Sequence, residues 1–226
     1  MKSISCFVDK LKKDYGINNP IRANDILSSF SQFTKAYVFR LINAAIGKKK
    51  LTKYSRGVYY IPKETIFGPS SITSNMVIQN RYIHDGDNII GVYSGLTLLN
   101  MFSVITQVPM VTEIVSNRET TRKRTITIEG FSFVLRKSRF TITKKNYNYY
   151  TILQLFTNLK TPDLLNEESK TIIVQYLKKN KIDQSELLRL ALAFPAKTMK
   201  NLVGSGVLSG IISKQRSAYR RNSSNI

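Results

Sequence analysis

The sequence is poor in the residues that most often carry catalysis or metal binding, because it has one cysteine, Cys6, and one histidine, His84. A single cysteine cannot form an internal disulfide, which suits a reducing compartment. The sequence has no Cys-x-x-Cys pair for a thiolate zinc site, and no glycine-rich phosphate loop followed by Lys-Ser or Lys-Thr. These absences predict that the protein is not an enzyme and uses no cofactor or metal.

The residues left for such chemistry fit structural roles better. Cys6 falls on the apolar side of a predicted first helix, where we expect a buried thiol. Residues 84–87 (HDGD) predict a turn around a glycine rather than a metal site. No apolar run is long enough to span a bilayer and no signal peptide is visible, so we expect a soluble, cytoplasmic protein without a membrane partner.

Acidic residues are also scarce, with 14 Asp and Glu against 35 Lys and Arg in 226 residues, a net charge of +21. Such an excess favours a polyanionic partner, most often nucleic acid, with an anionic membrane surface as the second candidate. Residues 1–70 carry a net charge of +9, whereas residues 71–160 and 161–226 carry +6 each. The charge is therefore densest in the N-terminal segment.

Residues 31–62 combine a helix, a lysine cluster and a hairpin. Ser31 can cap the helix, and Gly47 suits the left-handed residue that ends it. The hairpin turns at Ser55-Arg56-Gly57, and its second strand is β-branched and aromatic. The predicted elements are a helix at residues 32–46, lysines at 48–50, and strands at 51–54 and 58–61.

The predicted helix has an apolar face and a polar face. Its apolar side carries Val38, Leu41, Ile42 and Ala45. In a DNA major groove, Arg and Lys pair with guanine, and Asn and Gln pair with adenine. We therefore predict a DNA-binding site in which four residues of the helix read or position bases and five later residues meet phosphates: Gln32, Lys35, Arg40, Asn43, then Lys48, Lys49, Lys50, Lys53 and Arg56.

The segments before this stretch complete a recognisable order. Helical spacing predicts a helix at residues 4–15, an extended segment at 20–22 and a short helix at 23–27. With the hairpin as a wing, this is the order of a winged helix-turn-helix, which we place at residues 1–68 before a linker at 68–71. The same elements also form protein-binding winged helices, and the positive charge favours DNA.

Residues 69–226 predict a mixed α/β domain with a helical C-terminal half, so the fold class is α+β. The tail at 214–226 is polar, basic and expected to fray. Strands are expected at 89–92, 111–116, 125–129 and 131–136, and helices at 72–82, from 94 through 102, from 147 onward, at 171–179, at 186–194 and after 195.

This second domain has basic residues of its own, which leave an alternative open. With nearby tyrosines for base stacking they could bind RNA, or they could simply be exposed turn residues. An RNA-binding protein that uses this domain, without promoter binding, is therefore the alternative function. The residues concerned are Arg118, Arg122, Lys123, Arg124, Arg136, Lys137, Arg139, Lys144 and Lys145, with Tyr147, Tyr149 and Tyr150.

Several short motifs follow one another along the chain. They are RGVYYIP at residues 56–62, FG at 67–68, GVYSGLTLLN at 91–100, TQVP at 106–109 and Asn117 after the strand at 111–116. Their order resembles that of the AbiEi-type antitoxins of bacterial abortive-infection systems. The resemblance covers roughly residues 1–200. Recognition-helix residues vary in such families, so the resemblance names no target sequence.

The resemblance implies a protein of two parts. The winged helix would repress the antitoxin–toxin operon by binding inverted repeats in its promoter. The second domain, an antitoxin domain at residues 69–226, would counter a cognate nucleotidyltransferase toxin. The family is usually classed as type IV, so that neutralisation need not involve a stable complex with the toxin.

Overall fold

The computed structural model describes residues 4–208 and shows a mixed α+β protein whose chain falls into two units. Unit 1 ends at Arg81 and unit 2 begins at Tyr82. This division lies later than the boundary predicted after residue 68. Residues 64–69 form a small hairpin, and Ser70 Oγ donates a hydrogen bond to Asn18 Oδ1 at 2.6 Å. The predicted linker is therefore tied to unit 1.

Unit 1 contains helices and a three-stranded antiparallel sheet in the order β1-β3-β2. Tyr59 of the central strand pairs with Ile21 on one side and with Lys53 on the other. The elements are α1 (Ile4–Tyr15), β1 (Ile21–Arg22), α2 (Ala23–Ser29), α3 (Lys35–Gly47), β2 (Thr52–Ser55), β3 (Val58–Tyr60), the hairpin β4 (Glu64–Thr65) and β5 (Gly68–Pro69), and α4 (Ser74–Tyr82), which ends at the first residue of unit 2.

The core of unit 1 is built from apolar residues of α1, α2, α3 and the sheet. In α1 the buried residues are Phe7, Val8 and Leu11. Cys6 is exposed, so the prediction of a buried thiol is wrong. Around the helix Leu11 lies between Phe7 and Val8, whereas Cys6 lies about 140° from Leu11, outside the buried stripe.

Unit 2 contains a four-stranded sheet in the order β10-β11-β9-β8, in which β9 and β11 run parallel and the other pairs are antiparallel. Within residues 4–208, four α-helices follow the sheet, as the sequence predicts. The elements are the hairpin β6 (His84–Asp85) and β7 (Asn88–Ile89), β8 (Gly91–Ser94), α5 (Gly95–Met101), β9 (Thr112–Ser116), β10 (Arg124–Ile128), β11 (Phe131–Lys137), α6 (Tyr147–Asn158), a 3-10 turn (Pro162–Leu164), α7 (Glu167–Lys179), α8 (Gln184–Ala191) and α9 (Ala196–Gly204).

The strand predicted at residues 89–92 is divided between β7 and β8 at Ile90. The Ile90 N–H donates to the carbonyl of Ile83 at 2.8 Å, while its own carbonyl accepts from Asn117 at 2.9 Å. The chain therefore passes from the small hairpin to the main sheet at this residue. Gly91 follows because a Cβ there would lie 2.1 Å from the Tyr82 carbonyl oxygen.

Asn117 joins two segments of unit 2 through its side chain. Its Nδ2 donates to the Ile142 carbonyl at 2.7 Å, and its Oδ1 accepts from Ile142 N at 2.9 Å and from Ser138 Oγ at 3.0 Å. Hydrogen bonds of this kind satisfy backbone groups that would otherwise be left unpaired in a loop. Asn117 therefore fixes the chain between β11 and α6.

Among residues 4–208, no helix combines the length and the apolar character that crossing a bilayer requires. The tail at 214–226, predicted to fray, lies outside the described residues.

Candidate nucleic-acid interface

The helix α3 begins later than the sequence predicts. Its cap is Thr34, whose Oγ1 accepts a hydrogen bond from Tyr37 N at 3.3 Å. The prediction that Ser31 caps the helix is therefore wrong, and Gln32 lies in the preceding turn, exposed, rather than in the first helical turn. The turn is needed because it brings Phe33 against the core of unit 1.

The two faces of α3 are as predicted. Val38, Ile42 and Ala45 are buried. Lys35, Arg40 and Asn43 are exposed, so this helix keeps a solvent-accessible polar surface. A bare, polar helix face of this kind can enter a major groove.

Sequence reasoning missed Phe39, which is 39% exposed on the same face. Its position was available from helical spacing, because Phe39 lies three residues after Ala36 and four before Asn43. An exposed aromatic ring beside Arg and Asn can contact the methyl group of thymine. Phe39 therefore joins the candidate site.

Arg40 is held in place by its neighbour one turn earlier. Its guanidinium carbon lies 5.3 Å from the centre of the Tyr37 ring. Such cation–π contacts are worth about 0.5–1 kcal/mol at exposed sites. The contact restricts the Arg40 side chain before any partner is bound.

The end of α3 is closed by Lys49 rather than by the predicted Gly47. The N–H of Lys49 donates to the carbonyl of Ile46 at 2.8 Å, and the N–H of Lys50 donates to the carbonyl of Ala45 at 3.0 Å. This is the hydrogen-bond pattern of a Schellman motif. Lys49 has a φ of 56°, whereas Gly47 is the last helical residue. The motif turns the chain sharply and exposes all three lysines.

The three lysines differ in what they contact. The ammonium group of Lys50 donates to Ser5 Oγ at 3.0 Å, which ties the end of α3 to the start of α1. Lys48 and Lys49 are exposed. Of the three, Lys48 and Lys49 are therefore the better candidates for phosphate contacts.

The hairpin of β2 and β3 carries Lys53 and Arg56, both exposed. Its turn needs Gly57, whose φ of 74° favours glycine. The Gly57 carbonyl accepts a hydrogen bond from Ala23 N at 2.8 Å. The turn is thus attached to the first residue of α2, which fixes the backbone position of Arg56.

The cations of α3 and of this hairpin pair with no carboxylate among residues 4–208. The residues concerned are Lys35, Arg40, Lys48, Lys49, Lys53 and Arg56. Their charge is therefore available to an external polyanion.

The basic cluster of unit 2 is arranged differently. Three of its arginines are ion-paired: Arg118 with Asp85 at 2.7 Å, Arg124 with Glu119 at 2.8 Å, and Arg136 with Glu113 at 3.1 Å. These pairs neutralise part of the charge that the sequence makes available for RNA. Sequence reasoning missed them because the partners are distant in the chain or face each other only in the folded sheet.

Glu119 is the most buried of these carboxylates, with 3% of its side chain exposed. Burial raises the pKa of the Glu119 carboxyl, but hydrogen bonds from Thr121 and Arg124 outweigh that effect, so the pKa lies below its ordinary value. The Thr121 hydroxyl donates to Oε1 at 2.7 Å. Glu119 is therefore a charged structural residue.

The sequence candidates for catalytic or metal chemistry take part in local structure. In the part of the chain that the structure describes, no three His, Cys, Asp or Glu residues lie together in a way that could hold a metal ion. His84 belongs to the short hairpin, where Gly86 adopts a φ of 58° in the turn. Asp85 is engaged by Arg118.

Comparison with known proteins assigns no relative to this chain. No protein-family model matches the sequence, and no curated protein matches it either.

Proposed function

We propose that unit 1 is a winged helix-turn-helix that binds duplex DNA. The observation that carries the proposal is the exposed, polar face of α3, with Arg40 and Asn43 on one side of the helix and Lys35 exposed in its first turn. The order α1-β1-α2-α3-β2-β3 and the sheet order β1-β3-β2 support it. In this arrangement α3 enters the major groove and the β2–β3 hairpin is the wing.

The proposed site would make two kinds of contact with DNA. Arg40, Asn43 and Phe39 face outward from α3 and would read base edges, because bidentate side chains and apolar groups distinguish bases in the major groove. Lys48, Lys49, Lys53 and Arg56 would meet phosphates, which position the protein without reading sequence. Gln32, before the helix, would contact the backbone rather than a base.

We propose further that the chain is an antitoxin that represses its own operon by binding inverted repeats in the promoter. The support is the ordered set of motifs that resembles AbiEi-type antitoxins. In unit 2 the motif residues hold the chain: Gly91 allows a close backbone approach, Asn100 Nδ2 donates to the Ile105 and Gln107 carbonyls at 3.2 Å, and Asn117 joins two segments. Such roles support a shared fold, on which neutralisation of a nucleotidyltransferase toxin would depend.

The DNA-binding part is tested by a gel-shift titration on the DNA upstream of the gene. We expect Arg40→Ala to weaken specific binding by about 1–3 kcal/mol, because a bidentate contact to a base is lost. Arg122→Ala, an exposed arginine of unit 2, is the matched control and should bind like the wild type. Unchanged affinity in Arg40→Ala would remove this residue from the site.

The antitoxin part is tested in cells that express the adjacent toxin gene. The full chain carrying Arg40→Ala should still rescue growth while it derepresses a promoter reporter, because neutralisation is assigned to unit 2. A wild-type chain that represses the reporter but fails to rescue growth would refute the antitoxin role and leave the repressor role standing.

RNA binding by unit 2 is the second candidate, favoured by the exposed Lys137, Lys144 and Lys145. We place it behind DNA binding because three nearby arginines are ion-paired. Footprinting on the upstream DNA separates the two: protection of inverted repeats supports the repressor, whereas RNA binding that depends on Arg122, without DNA protection, supports the alternative.

A further inference from the structure

Unit 2 contains a cavity of about 270 Å³ beside α5, α6 and the strands β9 and β11. Leu96 and Leu99 form an apolar part of its wall, and polar and charged side chains form the rest. Concave sites with an apolar wall and a few convergent polar groups are where small molecules usually bind. Nothing in the DNA-binding proposal uses this cavity.

A buried amide lies at the cavity wall. Gln154 is 7% exposed on α6, one turn before Asn158. Its Nε2 donates to Ser94 Oγ at 2.9 Å and, more weakly, to Asn158 Oδ1 at 3.4 Å, which uses both of its N–H groups. Asn158 Nδ2 donates to the same Ser94 hydroxyl at 3.4 Å, and its second N–H group has no partner among residues 4–208. Gln154 therefore orients Asn158 at the cavity wall, where that second N–H group can reach a bound molecule.

The charges around the cavity do not cancel. Glu113 Oε2 accepts from Arg136 Nε at 3.2 Å and from Nη2 at 3.1 Å, so these two charges neutralise each other. Arg139 also lines the cavity, and no carboxylate among residues 4–208 pairs with it. Its guanidinium carbon lies 5.4 Å from the centre of the Phe194 ring, which orients it. The cavity therefore keeps one uncompensated positive charge.

We propose that this cavity binds the phosphate or carboxylate group of a small molecule. Arg139 provides the charge, the second N–H group of Asn158 provides a further donor, and Leu96 and Leu99 contact the apolar part of the molecule. The volume of about 270 Å³ lies near the lower end of small-molecule sites, roughly 300 Å³.

The test is an NMR titration of the ¹⁵N-labelled full chain with sodium phosphate or sodium acetate, against sodium chloride at matched ionic strength. The protein carries a net charge of +21, so anions will gather at many lysines, and the informative signals are the side-chain amides of Gln154 and Asn158. We expect these signals to shift and to saturate. The anion that binds more tightly identifies the head group as phosphate or carboxylate.

Two variants make the test specific. Arg139→Gln should raise the dissociation constant at these amides about tenfold or more, because a charge-assisted contact is lost. Lys137→Gln removes the same charge from an exposed position of β11 that does not line the cavity, and it should bind like the wild type. Glu113→Gln should tighten binding severalfold, because Arg136 is released from its internal carboxylate.

Shifts that fail to saturate at Gln154 and Asn158 would overturn the proposal. An equal loss of binding in Arg139→Gln and Lys137→Gln would also overturn it, because general attraction to a basic protein would then explain the result. If Glu113→Gln does not fold, the comparison of Arg139→Gln with Lys137→Gln decides alone. DNA binding by unit 1 enters none of these outcomes.

Discussion

In unit 1 the cations Lys35, Arg40 and Arg56 meet no carboxylate among residues 4–208, whereas in unit 2 Arg118, Arg124 and Arg136 each form an ion pair. The first arrangement leaves charge on one helix and one hairpin. The second uses charge to connect strands and turns of the same unit. Two segments with an excess of positive charge can therefore have different functions, and net charge alone does not locate a binding surface.

Gly47 of unit 1 and Gly91 of unit 2 differ in how closely other atoms approach them. A Cβ added at Gly47 in α3 would meet nothing within 4 Å, whereas one added at Gly91 would meet the carbonyl oxygens of Tyr82 and Val115 at 2.1 and 2.8 Å. Unit 1 thus presents an open helix end to its surroundings. In unit 2 the backbone itself is part of a tightly packed site.

The largest effect on stability is expected from Gly91→Ala. The added methyl group would press on two backbone oxygens, and overpacking of this kind destabilises by about 3 kcal/mol. Hydrogen exchange read by mass spectrometry, peptide by peptide, should show faster exchange in β8 and β9. Gly47→Ala is the control, and it should not lower the protection of α3. Unchanged protection of β8 in Gly91→Ala would contradict the close backbone packing around Gly91.

The next effect concerns the exposed lysines. Replacing Lys48, Lys49 and Lys53 by Gln should weaken DNA binding about 100-fold at roughly 0.1 M salt and reduce the salt slope by two to three. The same replacement of Lys137, Lys144 and Lys145 in unit 2 is the matched control. Fluorescence anisotropy across a salt series measures both. Equal losses in the two triple variants would mean that the units share the DNA-binding surface.

Glu119→Gln should destabilise unit 2 by about 1–3 kcal/mol, because it leaves donors of Thr121 and Arg124 without their charged acceptor. Urea unfolding of the full chain, followed by hydrogen exchange, measures the loss. Glu168→Gln, at an exposed position of α7, is the control and should change stability by a few tenths of a kcal/mol.

The difference in stability between the wild type and Glu119→Gln should depend on pH. The folded pKa of Glu119 lies below its ordinary value of 4.5, so its charged form stabilises the fold at pH values above 4.5. The stabilisation is lost as the pH falls through the folded pKa. The difference in stability between wild type and Glu119→Gln should therefore shrink below pH 4.5, and a constant difference down to low pH would argue against a charged, hydrogen-bonded Glu119.

The smallest effect is expected from Lys49→Gly, which separates folding from binding. A non-glycine residue with a φ of 56° is strained by about 1 kcal/mol, and glycine removes most of that strain. The variant should be as stable as the wild type or slightly more so, while its DNA affinity falls and its salt slope flattens by about 0.9. Lower stability together with unchanged DNA binding would show that Lys49 is structural only.

Much of the local structure follows from patterns in the sequence. The helix predicted at residues 4–15 coincides with α1, and the apolar stripe of α3 was placed correctly because its period is that of a helix. The ends of α3 were less predictable. Ser31 and Thr34 are both good caps, and the choice of Thr34 depends on how Phe33 packs against the core.

The residues predicted for the site on α3 and on the β2–β3 hairpin are exposed in unit 1, and their role in binding stays a prediction. Phe39 was within reach of the same reasoning, whereas the cavity of unit 2 was not. Its residues come from α5, β9, α6 and the segment from β11 onward, and no sequence spacing shows that these segments meet.

The sequence by itself determined the periodicity of the helices, the excess of positive charge and the concentration of that charge near the N-terminus. Only the tertiary structure decided which cations are neutralised. Arg136 reaches Glu113 because β9 and β11 run parallel in a register that pairs Glu113 with Val134 and Arg136 with Val115, two positions along on the same face. A periodic pattern is a property of neighbouring residues, whereas an ion pair requires two distant segments to be brought together, and packing of the core provides that.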